Sequence, residues 1–282
     1  MTAAHTDVLI VHGPQQPQSV VVLDSPHSGY AMPADFGAAL PHEDLRDGEY
    51  RYIDELYRPA ADLGIPLLAA QFPRTYLDVN RHAGDVDLEL IDGPWPHEHQ
   101  PSGKAALGKS LVWRTLDDGR PIYARRLRVE EVAARIERCH RPYHQTLQRL
   151  LNEAHGRFGR VVHLNCHSMN AVSGVMGEGG PGIPRADFVL GDRDGTTCSA
   201  EVTGFVFEHL RALGYEVKIN DPFKGVELVR AYADPSRERH SLQLEINKRI
   251  YMDGSTGAKL PHFMVLQQQL MGLLAAIQRR FG

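Results

Sequence analysis

The sequence predicts an α/β protein: a mixed, largely parallel sheet with helices on both faces. Two observations lead there. Short β-branched runs alternate along the chain with longer stretches of helical spacing, the order of a sheet wound with helices. Two of these runs, Ser19-Val20-Val21-Val22-Leu23-Asp24 and Val161-Val162-His163-Leu164-Asn165-Cys166, lead into His-Ser pairs instead of plain turns. In open α/β sheets ligands bind outside the carboxyl ends of the strands. His27 and His167 therefore mark where chemistry is expected.

Composition bounds the function classes. The chain has 282 residues, 42% of them hydrophobic and 23% charged, as an ordinary globular protein does. One domain over residues 1–282 is expected, with roughly 75% of the unfolded chain's surface buried. A net charge of −4 without a long basic run carries no nucleic-acid footprint. No apolar run approaches the roughly 18 residues of a membrane span. Met1 to Asp7 lacks the basic-then-apolar order of a signal peptide. Cys139, Cys166 and Cys198 show no paired spacing, which predicts reduced thiols and a cytoplasmic location.

Along the chain, Ser19 to Asp24 is the first buried strand. Asp47 to Leu63 has helical spacing, with Ile53, Leu56, Tyr57, Ala60 and Ala61 on one face. Pro59 is expected to kink or divide this helix, and Gly64 stands where a left-handed cap belongs. Ile65 to Phe72 is a strand. It continues into Pro73 to Arg81, which alternates apolar and polar and ends in Asn80-Arg81. Residues 83–127 keep no steady period and hold both tryptophans. Such a long loop is usually functional, and an excursion over the active site with a short hairpin is expected.

Val129 to His155 reads as a long helix interrupted at Pro142 and ended by Gly156 and Gly159. The His167 strand follows, then a glycine-rich loop from Gly174 to Gly182 and a strand at Ala186–Gly191. Gly195 to Cys198 opens a helix running to Leu213 and capped by Gly214; Tyr215–Ile219 is a strand and Asn220–Gly225 a turn. Ser241 to Asn247 alternates with period two, which puts Gln243, Glu245 and Asn247 on one face. Lys259 to Arg280 is the closing helix, and no internal repeat is present.

Three groups could carry chemistry. His27 and His167, on neighbouring strand ends, suit a catalytic zinc site, which takes three protein ligands and a water. The third should be a carboxylate, and Asp54, Glu55 and Glu49 are nearest in sequence after His27. The competing reading is that one histidine merely caps its strand. Glu245 is a carboxylate in an apolar strand, costly to bury unless paired or used. Beside a metal it could act as general base; otherwise it pairs with Arg249 or Lys248. Asn80-Arg81 could hold a carboxylate through parallel hydrogen bonds. Arg74, Arg230 and Arg249 could add anion contacts, or be plain surface charge. His140 and His144, one turn apart around Pro142, read as packing, and His97 and His99 as loop surface. Cys166 beside His167 suggests a nucleophile, but neighbours on a strand face opposite sides, which favours packing. Gly191 to Gly195 could cradle an anion at a helix start.

Taken in order, Asp24-Ser25-Pro26-His27-Ser28-Gly29, Tyr76-Leu77-Asp78-Val79-Asn80-Arg81, His167-Ser168-Met169, Gly191-Asp192-Arg193, Asn220-Asp221-Pro222-Phe223-Lys224-Gly225 and Leu244-Glu245-Ile246-Asn247-Lys248 resemble the N-formylglutamate amidohydrolase (N-formylglutamate deformylase) family. The resemblance runs from about residue 20 to about residue 275. It implies a fold similar to the zinc carboxypeptidases, with the metal at strand ends. It further implies Zn(2+) on His27, Asp54 and His167, with Glu55 the close alternative to Asp54, and Glu245 as general base. Asn80 and Arg81 would hold a substrate carboxylate, and Arg74, Arg230 or Arg249 would form a second clamp for a dianion. The implied reaction is hydrolysis of N-formyl-L-glutamate to formate and glutamate in histidine breakdown. The chain departs from the family pattern at Asn165, where Asp is common, at Lys248, where Arg is, and at Val226, where a second Gly is. Two alternatives stand beside this reading: a related metallo-deacylase or peptidase for another acyl amino acid, and a non-catalytic ligand-binding relative. The retained Glu245 argues against the second.

Overall fold

The structure, a computed structural model, describes residues 4, 5, 7–175 and 180–282. The rest of the expected glycine-rich loop, residues 176–179, and the N-terminal residues 1–3 and 6 lie outside the described residues. The strands are β1 (Ala4–His5), β2 (Leu9–His12), β3 (Val21–Ser25), β4 (Leu67–Ala70), β5 (Ile91–Asp92), β6 (Leu127–Arg128), β7 (Val161–Met169), β8 (Phe188–Gly191), β9 (Val217–Ile219) and β10 (Arg239–Asn247). The helices are α1 (Ile53–Tyr57), α2 (Val129–Arg135), α3 (Arg141–Phe158), α4 (Ala200–Ala212), α5 (Glu227–Tyr232) and α6 (Phe263–Phe281).

Among the described residues eight strands form one sheet, in the order β1-β2-β4-β3-β7-β10-β8-β9. Its centre, β4-β3-β7-β10, is parallel, and β2 and β8 join it antiparallel. The mixed, mostly parallel α/β architecture is thus the one expected. Each face carries its own core. Val162, Leu164 and Cys166 of β7 pack with Leu242, Leu244 and Ile246 of β10 against Leu56 of α1, Val206 of α4 and Leu270 and Leu274 of α6. The opposite face packs Val22 and Leu68 against Tyr143, Leu147 and Leu151 of α3 and against the 83–127 excursion. Each fully buried Leu or Val contributes about 1.5–3 kcal/mol.

Strand alternation gives this second face a polar row. Asp24 of β3 stands opposite Asn165 of β7, and His163, Asn165 and His167 stand opposite Ser241, Gln243 and Glu245 of β10. Below the site the row is closed on itself. Asp24 Oδ1 bonds His163 Nε2 at 2.8 Å and accepts from Asn165 Nδ2 at 2.7 Å, while Asp24 Oδ2 accepts from the Tyr143 hydroxyl at 2.7 Å. Buried polar groups survive in a core when paired in this way. Toward the strand ends the row opens into a cavity.

Several elements depart from expectation. The Asp47–Leu63 helix begins only at Ile53, because Gly48 (φ 71°) and Tyr52 (φ 67°) take left-handed backbone that interrupts a helix. It continues as a 3-10 turn, Arg58–Leu63, that carries Pro59 at its start and is closed by Gly64 (φ 74°). Residues 73–81 form no strand. Tyr76 N–H donates to Pro73 O at 3.0 Å and Arg81 N–H to Asp78 O at 3.1 Å, so the segment folds as successive turns. In the excursion β5 and β6 pair parallel, and between them the expected short hairpin is the antiparallel reversal at 114–122, where Ile122 N–H donates to Arg114 O and Leu116 N–H to Arg120 O, both at 2.9 Å. The intervening chain wraps over the α3 side, burying Leu90, Leu111, Ile122 and Leu127. The Val129–His155 helix is α2, a π-turn at Ile136–His140, and α3, with Pro142 in α3's first turn where no N–H is needed. Among the described residues, no helix is long and apolar enough to cross a membrane.

Candidate active site

A cavity of about 440 Å³ opens at the carboxyl ends of β7 and β10. His167 and Glu245, Asn80 and Arg81, Arg74 and Tyr50 line it. His27 lies just past the end of β3, wholly buried behind the wall. Two residues later the chain runs hard against β4's exit. A Cβ on Gly29 would come within 2.3 Å of the Gln71 backbone, so only glycine lets the His27 turn sit there.

Asp78 organises the floor. Its Oδ1 is 2.7 Å from His27 Nε2 and accepts from Asn80 N–H at 2.9 Å, and its Oδ2 accepts from Arg74 at 2.7 Å. Burial would raise the Asp78 carboxyl, but Arg74 and His27 hold it well below the usual carboxylate range. Arg74 also donates to the Tyr50 hydroxyl at 2.9 Å. The Tyr50 ring packs against both imidazoles, 4.9 Å from His27 and 5.1 Å from His167 between centroids. Burial lowers the pKa of His27 to about 4 and that of His167 well below its ordinary value, so both rings are neutral.

His167 Nδ1 lies 3.6 Å from Glu245 Oε1, and Gln243 donates to that same oxygen at 3.0 Å. Burial raises Glu245 to about 7. Asn80 is fixed through its Oδ1, which accepts Leu228 N–H at 2.9 Å; its Nδ2 lies 3.4 Å from His167 Nε2, too long a contact to set that ring's tautomer.

Two corners fit a zinc ion. Nδ1 of His27 and Nδ1 of His167 are both buried without a hydrogen-bond partner, and both rings are neutral. The rings stand 5.2 Å apart at 89°. Two imidazoles on one tetrahedral ion would have centroids roughly 5 Å apart. The Asp78 contact on His27 Nε2 matches the carboxylate that usually orients a metal-binding histidine. The expected third corner does not join them. Asp54 lies on α1 and pairs with Arg58 at 3.1 Å, Glu55 pairs with Lys259, and Glu49 holds Arg46 at 2.5 Å. Among the described residues, no three His, Cys, Asp or Glu side chains are grouped to hold a metal.

Of the predicted residues, His27, His167, Glu245, Asn80, Arg81 and Arg74 are brought together. Arg230 and Arg249 are not: exposed, they pair with Glu227 and Asp187, because α5 and the turn after β10 aim them outward. Asp78 and Tyr50 were not singled out by sequence. Asp78 sits inside a motif already quoted, three residues before Arg81, whereas Tyr50 reads as one more core aromatic. Cys166 faces the opposite core, as strand alternation requires. At Gly191–Gly195 the Asp192 side chain itself accepts from Gly195 N–H and from the Thr203 hydroxyl, so an acid already fills the anion's place.

Known proteins resemble this chain over most of its length. A family model described as N-formylglutamate amidohydrolase matches residues 19–252. The N-formylglutamate deformylase of Pseudomonas putida is 30% identical over 269 residues, 90% of this chain and 92% of that protein. The deformylase of Pseudomonas aeruginosa is 29% identical over 240 residues, 83% and 82% of the two chains. A crystal structure of N-formylglutamate amidohydrolase from Ralstonia eutropha superposes with a TM-score of 0.90 at 41% identity, covering 98% of this chain and 99% of that one. A gene product of Agrobacterium tumefaciens at 15% identity and a TM-score of 0.70, covering 97% and 95% of the chains, shares the fold.

Proposed function

Since the chain belongs to the N-formylglutamate amidohydrolase family, we propose that it hydrolyses the formyl amide of N-formyl-L-glutamate to formate and L-glutamate, a step of histidine breakdown, with zinc on His27 and His167. The observation that carries this reading is Glu245, a buried carboxylate at the cavity floor, 3.6 Å from His167 Nδ1, with Oε2 lacking a partner. A free carboxylate oxygen with its pKa raised to about 7 is suited to take a proton from water and return it to the leaving nitrogen. Gln243 orients the other oxygen. Asn80 and Arg81 hold a substrate carboxylate. Arg74 supplies positive charge behind Tyr50 where an oxyanion develops. Zinc, when bound, supplies a Lewis acid that polarises the formyl carbonyl and makes the attacking water more acidic.

The test is formate release from N-formyl-L-glutamate, set beside a panel of N-acetyl and longer N-acyl amino acids, with zinc measured in the purified protein. Formate release with zinc near one per chain is expected. Hydrolysis of the longer acyl compounds instead would replace the formyl reading by that of a related deacylase. Binding without hydrolysis of any of them would leave a ligand-binding relative.

A further inference from the structure

A dianionic substrate needs two cations, and the cavity wall shows which remain uncommitted. Arg74 is held by Asp78 and Tyr50. Lys109 lies 2.8 Å from Asp117 and 3.6 Å above the Trp113 ring. Lys224 pairs with Asp194 at 2.9 Å, and Arg185 covers Phe223. Lys104 is exposed at the rim. Two lining cations of the inner wall differ from these among the described residues. The Arg81 guanidinium makes no hydrogen bond, its Nε being 3.7 Å from Asp78 Oδ2. Lys248, three residues after Glu245, has no hydrogen bond or ion pair from its ammonium. Burial lowers the Lys248 pKa, while Glu49, Asp47 and Asp117 attract its charge from a distance. Lys248 is half-buried and faces the cavity, so its ammonium, without a bonded acid, is placed to be completed by an anionic ligand.

We propose that Lys248 is the residue that selects a dicarboxylic substrate: its ammonium receives the side-chain carboxylate, and Arg81, beside Asn80, receives the α-carboxylate. The excursion shapes this end of the cavity. The Trp113 ring is wedged against Gly48, where a Cβ would come within 2.8 Å of it, and it carries Lys109 on its face. Lys109, matched by Asp117, is held there without being free to swing, which leaves Lys248 as the unpaired ammonium on that side.

This inference rests on the reading of the cavity as an N-formyl amino acid hydrolase, and the experiment separates the two. Formate release is measured with N-formyl-L-glutamate and N-formyl-L-glutamine, which match in shape and differ by one charge, for the wild type, Lys248→Met and Lys248→Arg. The wild type is expected to favour the glutamate derivative by about 100-fold or more in kcat/KM. Lys248→Met should shrink that preference at least about tenfold, mainly through KM, and Lys248→Arg should keep most of it. A preference in Lys248→Met equal to that of the wild type overturns the proposal. So does a wild type that treats the two compounds alike, which needs no variant to fold. A wild type that hydrolyses neither overturns the hydrolase reading and takes this inference with it.

Discussion

His167 and Glu245 stand side by side on adjacent parallel strands, in register, with Nδ1 and Oε1 3.6 Å apart. One sheet rung thus sets a neutral imidazole beside a carboxylate that burial raises to about 7. The relationship is fixed by backbone pairing, so a side-chain change at either position leaves the other in place. Glu245→Gln keeps the shape and removes the base. It is expected to lower kcat by about 10²–10⁴-fold while bound zinc is retained. Stopped-time formate assays and metal analysis check this; a variant with wild-type kcat removes Glu245 from the chemistry.

Asp78 bridges His27 and Arg74. Removing its charge withdraws the acceptor that orients His27 and leaves Arg74 buried without its acid. Asp78→Asn should weaken zinc binding about 10–100-fold, read by chelator competition. It should also cost about 3–5 kcal/mol of stability, read by urea unfolding. Unchanged zinc affinity would mean that His27 is not a ligand.

How much of this was legible in the sequence follows the physics of each element. Strand alternation is strict, so Val161–Met169 and Ser241–Asn247 gave not only strands but the face on which His167 and Glu245 would meet. The expectation for Asp54 rested on nearness in sequence to His27, which left Glu55 and Glu49 open, and on the family resemblance, and neither says which way a short helix turns its residues. Gly48 and Tyr52 delay α1 to Ile53, and the resulting register lays Asp54 along the surface, one turn from Arg58. Arg230 and Arg249 failed in the same way: an arginine near a motif is as often paired with its own neighbour as with a ligand. Residues 73–81 looked like a strand because the alternation is real, but the segment folds as turns that bring Arg74 and Asp78 together and Asp78 onto His27. Tyr50 could not be found from sequence, since a half-buried aromatic beside a helix carries no mark of what it touches.

The placement of Asp54 has a direct consequence. Its carboxylate makes one partly exposed bond to Arg58. Such pairs contribute about 0.2–1 kcal/mol. Asp54→Ala should therefore leave zinc content and kcat/KM within about twofold of wild type, with only a small shift of the urea midpoint. Loss of zinc in this variant would restore it as the third ligand.

His144 gives a pH dependence from behind the Asp78–Asn80 segment. Its Nε2 is 2.8 Å from Val79 O, its Nδ1 is 2.7 Å from the Tyr232 hydroxyl, and its ring stacks on His140 at 4.0 Å. The carbonyl can only accept, so Nε2 carries a proton, while the Tyr232 hydroxyl faces Nδ1 and also donates to the His144 carbonyl at 3.2 Å. Burial first, then the His140 charge, lowers its pKa to about 3, against 6.5 for a free histidine. Between those values the unfolded chain binds a proton that the folded chain refuses, so stability rises with pH across this window. The contribution is complete above pH 6.5 and is lost as pH falls, by up to about 1.4 kcal/mol per unit. From pH 6.5 to 5 the wild type should therefore lose about 1.6 kcal/mol more than His144→Gln, which has no titrating ring. Urea unfolding of both proteins at the two pH values measures the difference, and parallel losses would show that His144 is already protonated in the fold.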